Sequence, residues 1–233
     1  MAKQSNLAWI AADRAVQAGR HADNPLLVAV GARALSQVFT ETGQLDAALE
    51  ISLSSAAALE PRLRQEGSVP EEWSVWGALL LTAALAAARD NDIGAASDYL
   101  RRAARAADQI RGDRNDLWTS FGPTNVAIHG ISVAVELGDV PETIRRAEQV
   151  NTATLPADLL ERRAQVLIDL GRAYVQRRDD AAASAVFRQA EELAAEEVHS
   201  VPVREALREM LKREHRYATP ELRPLAQRTG IIP

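Results

Sequence analysis

The sequence predicts an all-α fold, a right-handed helical solenoid built from degenerate helix pairs. Three observations predict it. Four short turns recur along the chain: Gly43-Gln44-Leu45-Asp46, Asn91-Asp92-Ile93-Gly94, Gly138-Asp139-Val140-Pro141 and Arg178-Asp179-Asp180-Ala181, each between two long helical patterns. In three of them a small residue follows, with another seven positions on: Ala48 and Ser55, Ala96 and Ala103, Ala183 and Ala190. The third turn carries Thr143 and Val150 instead. Aligned on the first member, the units are 48, 47 and 40 residues apart. Periods of about 20–50 residues mark stacked units that expose an apolar face until a neighbour covers it. Composition is the third observation. The chain has 44 Ala, 47% hydrophobic residues and only 4% aromatic ones, and Ala is the best helix former and a poor strand former. No alternating strand pattern appears.

The first helix is read over Leu7 to about Ala18. Asn24 is a good N-cap and Pro25 suits the first helical position, so a second helix runs from there to about Thr42. Its partner spans Leu45 to Leu59, with Pro61 close behind as a stop. Ser68-Val69-Pro70-Glu71 reads as a capping box opening a helix to about Arg89, followed by a partner over Ile93 to Ile110. After a polar stretch come Trp118, Phe121, Gly122 and Pro123, then an apolar helix from Thr124 to Leu137. A second capping box, Asp139-Val140-Pro141-Glu142, opens a short helix to about Val150. Residues 158–177 and 180–196 form the last pair, a helix from Pro202 to Arg216 caps it, and a short helix follows Thr219-Pro220-Glu221. The reading is a single domain over 1–233, with pairs at 26–60, 71–110, 124–150 and 158–196 and capping helices over 202–229. Segments 61–69 and 111–120 are the loops expected to edge a groove.

Several function classes fall away. Net charge is −5. Residues 200–233 hold seven basic and four acidic residues, so the remainder stands at −8, which argues against non-specific nucleic-acid binding. The absence of cysteine excludes disulfides and thiolate metal sites. Asp13 and Arg14 interrupt the first apolar stretch, so no signal peptide is read. Uncharged runs such as residues 74–88 fall short of the roughly 20 residues a membrane span needs. The expected location is cytoplasmic. No phosphate loop, GxGxxG or GxSxG is present, and His21, His129, His199 and His215 form no metal-ligand spacing. No nucleophile–base pair can be proposed, so the sequence implies no enzyme, cofactor or metal.

The stronger signal is polar residues set into apolar helices. Asn125, His129, Ser132 and Glu136 recur at spacings of 4, 3 and 4 and line one helical face. Arg162, Gln165, Asp169, Arg172 and Gln176 repeat the pattern, as do Arg33, Gln37 and Thr40. First helices line the inner surface of such arrays, so these stripes are either a binding surface or the wet side of amphipathic helices. The tryptophans are the second signal. Trp9, Trp73, Trp76 and Trp118 lie at or near the start of a first helix, where they either pack the core or stack on a ligand. The ligand-binding set read from the sequence is Arg33, Trp76, Trp118, Phe121, Asn125, His129, Arg162, Asp169 and Arg172. Val203, Leu207, Met210 and Leu211 give the helix after Pro202 an apolar face that caps the array or meets a second copy; a homodimer is expected.

The stretch Trp118-Thr-Ser-Phe121-Gly-Pro-Thr-Asn125-Val-Ala-Ile-His129, with Val133-Ala-Val-Glu-Leu-Gly-Asp139 after it, resembles the tetratricopeptide-like C-terminal region of actinobacterial helix-turn-helix transcriptional regulators. Leu7-Ala-Trp-Ile-Ala-Ala-Asp13-Arg14-Ala resembles the start of that region. Leu160-Glu-Arg-Arg-Ala, Asp169-Leu-Gly-Arg-Ala173 and Ala226-Gln-Arg-Thr-Gly230 resemble its end. The units here are longer than the roughly 34 residues of a regular repeat and lack its Trp and Tyr positions. The resemblance implies a sensing and dimerisation domain that binds a small signal molecule or peptide. DNA would be contacted only through a helix-turn-helix domain not found in this chain, where Leu7 already begins the repeat-like region. The alternative is a protein–protein adaptor of tetratricopeptide type that grips a partner peptide.

Overall fold

A computed structural model describes residues 2–214 and 219–233, with side chains described from Leu7 onward. Among these residues the chain is all-helical, with eleven α-helices and no strand. They are α1 (Ala2–His21), α2 (Pro25–Glu41), α3 (Leu45–Leu63), α4 (Pro70–Arg89), α5 (Ile93–Ala107), α6 (Pro123–Glu136), α7 (Val140–Gln149), α8 (Leu160–Gln176), α9 (Asp180–Leu193), α10 (Val201–Lys212) and α11 (Leu222–Arg228). None of the described helices is long and apolar enough to cross a membrane. Two compact units form, residues 1–129 with 154–156 and residues 130–153 with 157–233.

The four predicted turns share one geometry. Gly43, Asn91, Gly138 and Arg178 take left-handed φ values of 78°, 60°, 73° and 63°. The next residue's N–H then reaches back to Phe39, Ala87, Ala134 and Tyr174 carbonyls respectively, which satisfies groups that a helix end otherwise leaves bare. A fifth copy joins α1 to α2: Asp23 has φ 48° and the Asn24 N–H bonds the Gly19 carbonyl. Asn24, Asp92, Asp139 and Asp179 then cap the following helices through their side chains; Gln44 does not. The first small residue of each predicted pair, Ala48, Ala96, Thr143 and Ala183, is fully buried. Of the second members, Ala103 and Ala190 are buried and Ser55 and Val150 only partly so.

Two details differ from the sequence reading. Pro61 lies inside α3: in the last turn it forfeits a single ladder bond, so the helix continues to Leu63. At the start of α4 it is Glu72, not Glu71, whose carboxylate accepts the Val69 N–H at 3.2 Å, while Ser68 Oγ accepts from Trp73 Nε1 at 3.0 Å.

A further device ties helices together within each unit. In unit 1, Arg89 Nη1 at the end of α4 donates to the Thr40 carbonyl of α2 at 2.9 Å. In unit 2, Gln176 Nε2 of α8 donates to Val135 O of α6 at 3.2 Å, and Arg213 Nη2 after α10 to Val175 O of α8 at 2.7 Å. Each staples one helix end to another helix's C-terminal carbonyls, where donors and cations are favoured.

Unit 1 is organised around α4. Fourteen of its residues are buried, among them Val75, Leu79, Leu80 and Leu81, and α2, α3 and α5 all pack on it. α1 reaches α2 at very close range. A Cβ on Gly31 would lie 2.7 Å from Val16 N, and one on Gly19 2.6 Å from Val28 N, so both positions require glycine. Unit 2 has its own core, in which Ile168, Phe187, Val198, Val203, Leu207, Met210, Leu222 and Leu225 cluster. The apolar face of α10 therefore closes this core. Val203, Leu207 and Met210 are 0% exposed within one chain, so that face is not available to a second copy. The final part of the helix predicted to Arg216, with His215, lies outside the described residues.

In α7, Glu142 accepts from Arg145 Nε and Nη2 and from Arg146 Nε, all at 2.6 Å. These bonds, those from Arg145 first, hold its carboxyl at about 2. A depressed carboxyl contributes stability above its ordinary value of 4.5 and loses it as pH falls towards 2. A carboxyl-carbon NMR titration of Glu142 is expected to show a midpoint near 2; a midpoint at the ordinary value would mean the arginine fork does not persist in solution.

Candidate functional site

The segment after α5 is built more carefully than a plain connector. Asp113 Oδ1 accepts the Thr124 N–H at 2.9 Å in the first turn of α6. The Arg114 N–H donates to Phe121 O at 2.9 Å and closes the base of an excursion formed by residues 115–120. Phe121, 0% exposed, packs with Ala78, Leu81, Ala103 and Ala107. Its ring occupies the space that a side chain at Gly77 would need.

Within the excursion Leu117, Trp118 and Ser120 all have left-handed backbones, with φ of 49°, 58° and 49°. Bulky residues rarely adopt this region, and each instance costs on the order of 1–3 kcal/mol. The conformation is imposed by the helices beneath. Asp116 Oδ2 accepts from Ser74 Oγ of α4 at 3.1 Å and from Arg114 Nε at 2.5 Å. Arg114 in turn pairs with Glu71 of α4 at 3.3 Å, and the hydrogen bond and charge of Asp116 raise its guanidinium further above the ordinary value. Arg33 Nη2 of α2 donates to the Trp118 carbonyl at 3.1 Å. Thr119 Oγ1 donates to Asp116 O at 2.7 Å, and Asn115 Oδ1 accepts the Ser120 N–H at 3.1 Å. The Leu117 side chain packs on the cluster of Ala29, Ala56, Leu59, Val75 and Leu79. The six residues thus lie as a strap across α2 and α4, and at its tip Trp118 stands 80% exposed.

The other predicted residues fall differently. Trp76 meets Trp73 edge to face, centroids 6.0 Å apart at 85°, and the Arg102 guanidinium stands 5.4 Å from its ring centre. It packs against core clusters on both sides, while its buried Nε1 has no acceptor. Asn125 is 2% exposed with its Oδ1 lacking a donor, and His129 Nδ1 lies 2.9 Å from the Asn125 carbonyl. All of these belong to unit 1.

Arg162, Asp169 and Arg172 belong to unit 2. Arg162 stands 4.0 Å from Glu161. Asp169 is fully buried; it accepts from Ser132 Oγ at 2.5 Å and from Arg172 Nη1 at 3.3 Å. Arg172 also pairs with Glu136 at 3.2 Å. Burial pushes the Asp169 carboxyl up, opposed by Arg172, Ser132 and Gln165. The polar stripes of α6 and α8 therefore meet here, zipped against one another.

The predicted set is divided accordingly. Arg33 and Trp118 are brought into direct contact at a surface, and Trp76 lies in the same unit beneath it. Phe121, expected at a groove edge, is core, because Gly77 leaves it room. Asp169 and Arg172, expected to continue a groove, are held in helix packing. The sequence reading missed Ser74, Arg114, Asp116 and Leu117. Ser74 had a signal, being a polar residue within the long uncharged run 74–88. A shallow depression of about 520 Å³ on unit 2, lined by Ser184, Arg188 and Glu221 among others, contains none of the predicted residues. Among the described residues no three His, Asp or Glu side chains are grouped to hold a metal ion. No protein-family model, curated protein or solved structure matches the chain.

Proposed function

We propose that the chain is a peptide-recognition module, a right-handed array of tetratricopeptide-like helix pairs that uses the α2–α4 face of unit 1. The recurring left-handed turns, the buried small residue after each, and the repeated end-to-helix staples support the repeat architecture. One observation carries the functional reading: a strap of bulky residues is held in left-handed backbone by side chains of α2 and α4, with Trp118 exposed at its tip. Strain of this kind concentrates at binding and switch segments, and exposed tryptophan beside arginine is typical of contact hot spots. A chain segment already lies along this open face, which favours a peptide over a small enclosed signal. As the sequence resemblance implies, such a module would be the sensing part of a transcriptional regulator. An adaptor that grips a partner peptide would use the same face. The chain itself carries no proposed DNA contact, catalysis or cofactor, and dimerisation through α10 is not part of the reading.

The test is selection from a display library of random 12-residue peptides on the full chain, followed by affinity measurement on Arg33→Glu. Reversing this charge is expected to weaken the selected peptides at least about tenfold, the effect of losing one charge-assisted hydrogen bond. Peptides that bind the folded Arg33→Glu chain as well as the unaltered one, or a library that yields no specific binder, would remove the reading.

A further inference from the structure

We infer that residues 115–120 are a displaceable self-ligand, and that the face beneath them takes peptides carrying a carboxylate side chain followed directly by a leucine-sized one. This rests on the recognition reading above and specifies its ligand and its control.

Three contacts describe what the face accepts. A carboxylate, that of Asp116, is met by Ser74 Oγ and Arg114. An aliphatic side chain, that of Leu117, packs on Ala29, Val75 and Leu79. A backbone carbonyl, that of Trp118, is met by Arg33. None of the three needs the strap to be covalently part of the chain. A free peptide with Asp-Leu or Glu-Leu supplies the same groups without having to return to the Arg114 N–H to Phe121 O bond that closes the 115–120 excursion.

The strap is also placed to lift without disturbing its surroundings. Its base is closed by the Arg114 N–H to Phe121 O bond. Both sides of that base are anchored independently: Phe121 in the core, Asp113 on the first turn of α6, and Arg114 to Glu71. Arg114 therefore stays in position to receive an incoming carboxylate when residues 115–120 leave. Trp118 at the tip gains little burial at 80% exposed, so the burial that holds the strap rests on Leu117 and on Thr119, which is 3% exposed. A tethered segment competes at a high effective concentration, of order mM for short links, so the unaltered chain binds weakly until a peptide outcompetes the strap. The apparent affinity is reduced by the fraction of chains whose face is open.

The probe is a capped, fluorescently labelled hexapeptide with the sequence of residues 115–120, Asn-Asp-Leu-Trp-Thr-Ser. Its binding is compared between the unaltered full chain, the double variant Asp116→Ala/Leu117→Ala, and that variant with Ser74→Ala added. The double variant is expected to bind at least about tenfold tighter, because its own strap no longer competes, and Ser74→Ala is expected to reverse the gain. A folded double variant that binds no tighter overturns the inference. A second measurement covers a variant that fails to fold: hydrogen exchange in the unaltered chain with millimolar peptide. Thr119 and Ser120 amides, bonded to Asp116 O and Asn115 Oδ1, are expected to exchange faster; unchanged exchange, or no binding at that concentration, overturns it. Library peptides that need Arg33 yet bind the unaltered and double-variant chains equally leave the recognition reading standing and remove only the self-ligand.

Discussion

Phe121→Ala is expected to destabilise unit 1 by about 3–5 kcal/mol, the usual range for a fully buried phenylalanine. The ring is 0% exposed and touches α4 and α5 residues at once. Its removal opens a cavity facing Gly77, and Gly77 has no side chain with which to fill it. The loss also reaches the strap, whose base bond ends on the Phe121 carbonyl. All four tryptophans lie in unit 1, so the urea midpoint followed by tryptophan fluorescence reports this unit. Gly77→Val is expected to be comparably damaging for the opposite reason, since a side chain there enters the space of the ring. A loss below about 1 kcal/mol in Phe121→Ala would mean that the loop, not the core, holds Phe121.

The helices were legible because their ends are local chemistry. A left-handed residue needs no distant partner, nor does the Asn or Asp cap that follows it in every turn but the one at Gly43, so four of the five shared turns could be read directly and the fifth, at Asp23, follows the same rule. The small residues after the turns were legible for a related reason: their position on the second helix is fixed by the turn, and close approach is the only use for Ala48, Ala96 and Ala183 there. The burial of Phe121 was not legible. It depends on Gly77, more than forty positions earlier and an ordinary residue in an Ala-rich helix. Nor was the strap. Leu117 and Trp118 carry no sequence mark of a left-handed backbone, which Gly or Asn would have supplied; the conformation comes from Ser74 and Arg33 on two separate helices.

The polar stripes show the same limit from another side. Helical periodicity placed Ser132 and Glu136 on one face and Asp169 and Arg172 on another, and both placements agree with the contacts observed. Periodicity says nothing about what covers a face. Read as surfaces open to a ligand, the two stripes meet each other in unit 2. In unit 1 the corresponding residues of α2 behave similarly: Thr40 Oγ1 turns back to the Ser36 carbonyl at 2.9 Å, and its own carbonyl takes the Arg89 staple. Arg33 is the member of its stripe that meets the strap.

Asp169→Ala tests the zipped stripes and is expected to cost about 3 kcal/mol, at the lower end of the range for breaking a buried ionic network. The variant removes the carboxylate that accepts from Ser132 Oγ and from Arg172 Nη1 and opens a void at a fully buried position, while Glu136 still holds Arg172. The pH dependence follows from the direction of the carboxyl shift. Burial raises Asp169 above its ordinary 3.8 more than Arg172, Ser132 and Gln165 lower it. The folded state therefore binds the proton more tightly than the unfolded chain, and the contribution of this group falls as pH rises from the ordinary value through the raised one. Glu136, the other acid facing Arg172, opposes ionisation of Asp169 in the same direction. The difference in urea midpoint between the unaltered chain and Asp169→Ala, followed by far-UV circular dichroism, is thus expected to be largest near pH 4 and to narrow towards neutrality. A difference that widens with pH would mean that the pull of Arg172 outweighs the burial of the carboxylate, and that the stripe is held by charge rather than by shared hydrogen bonds.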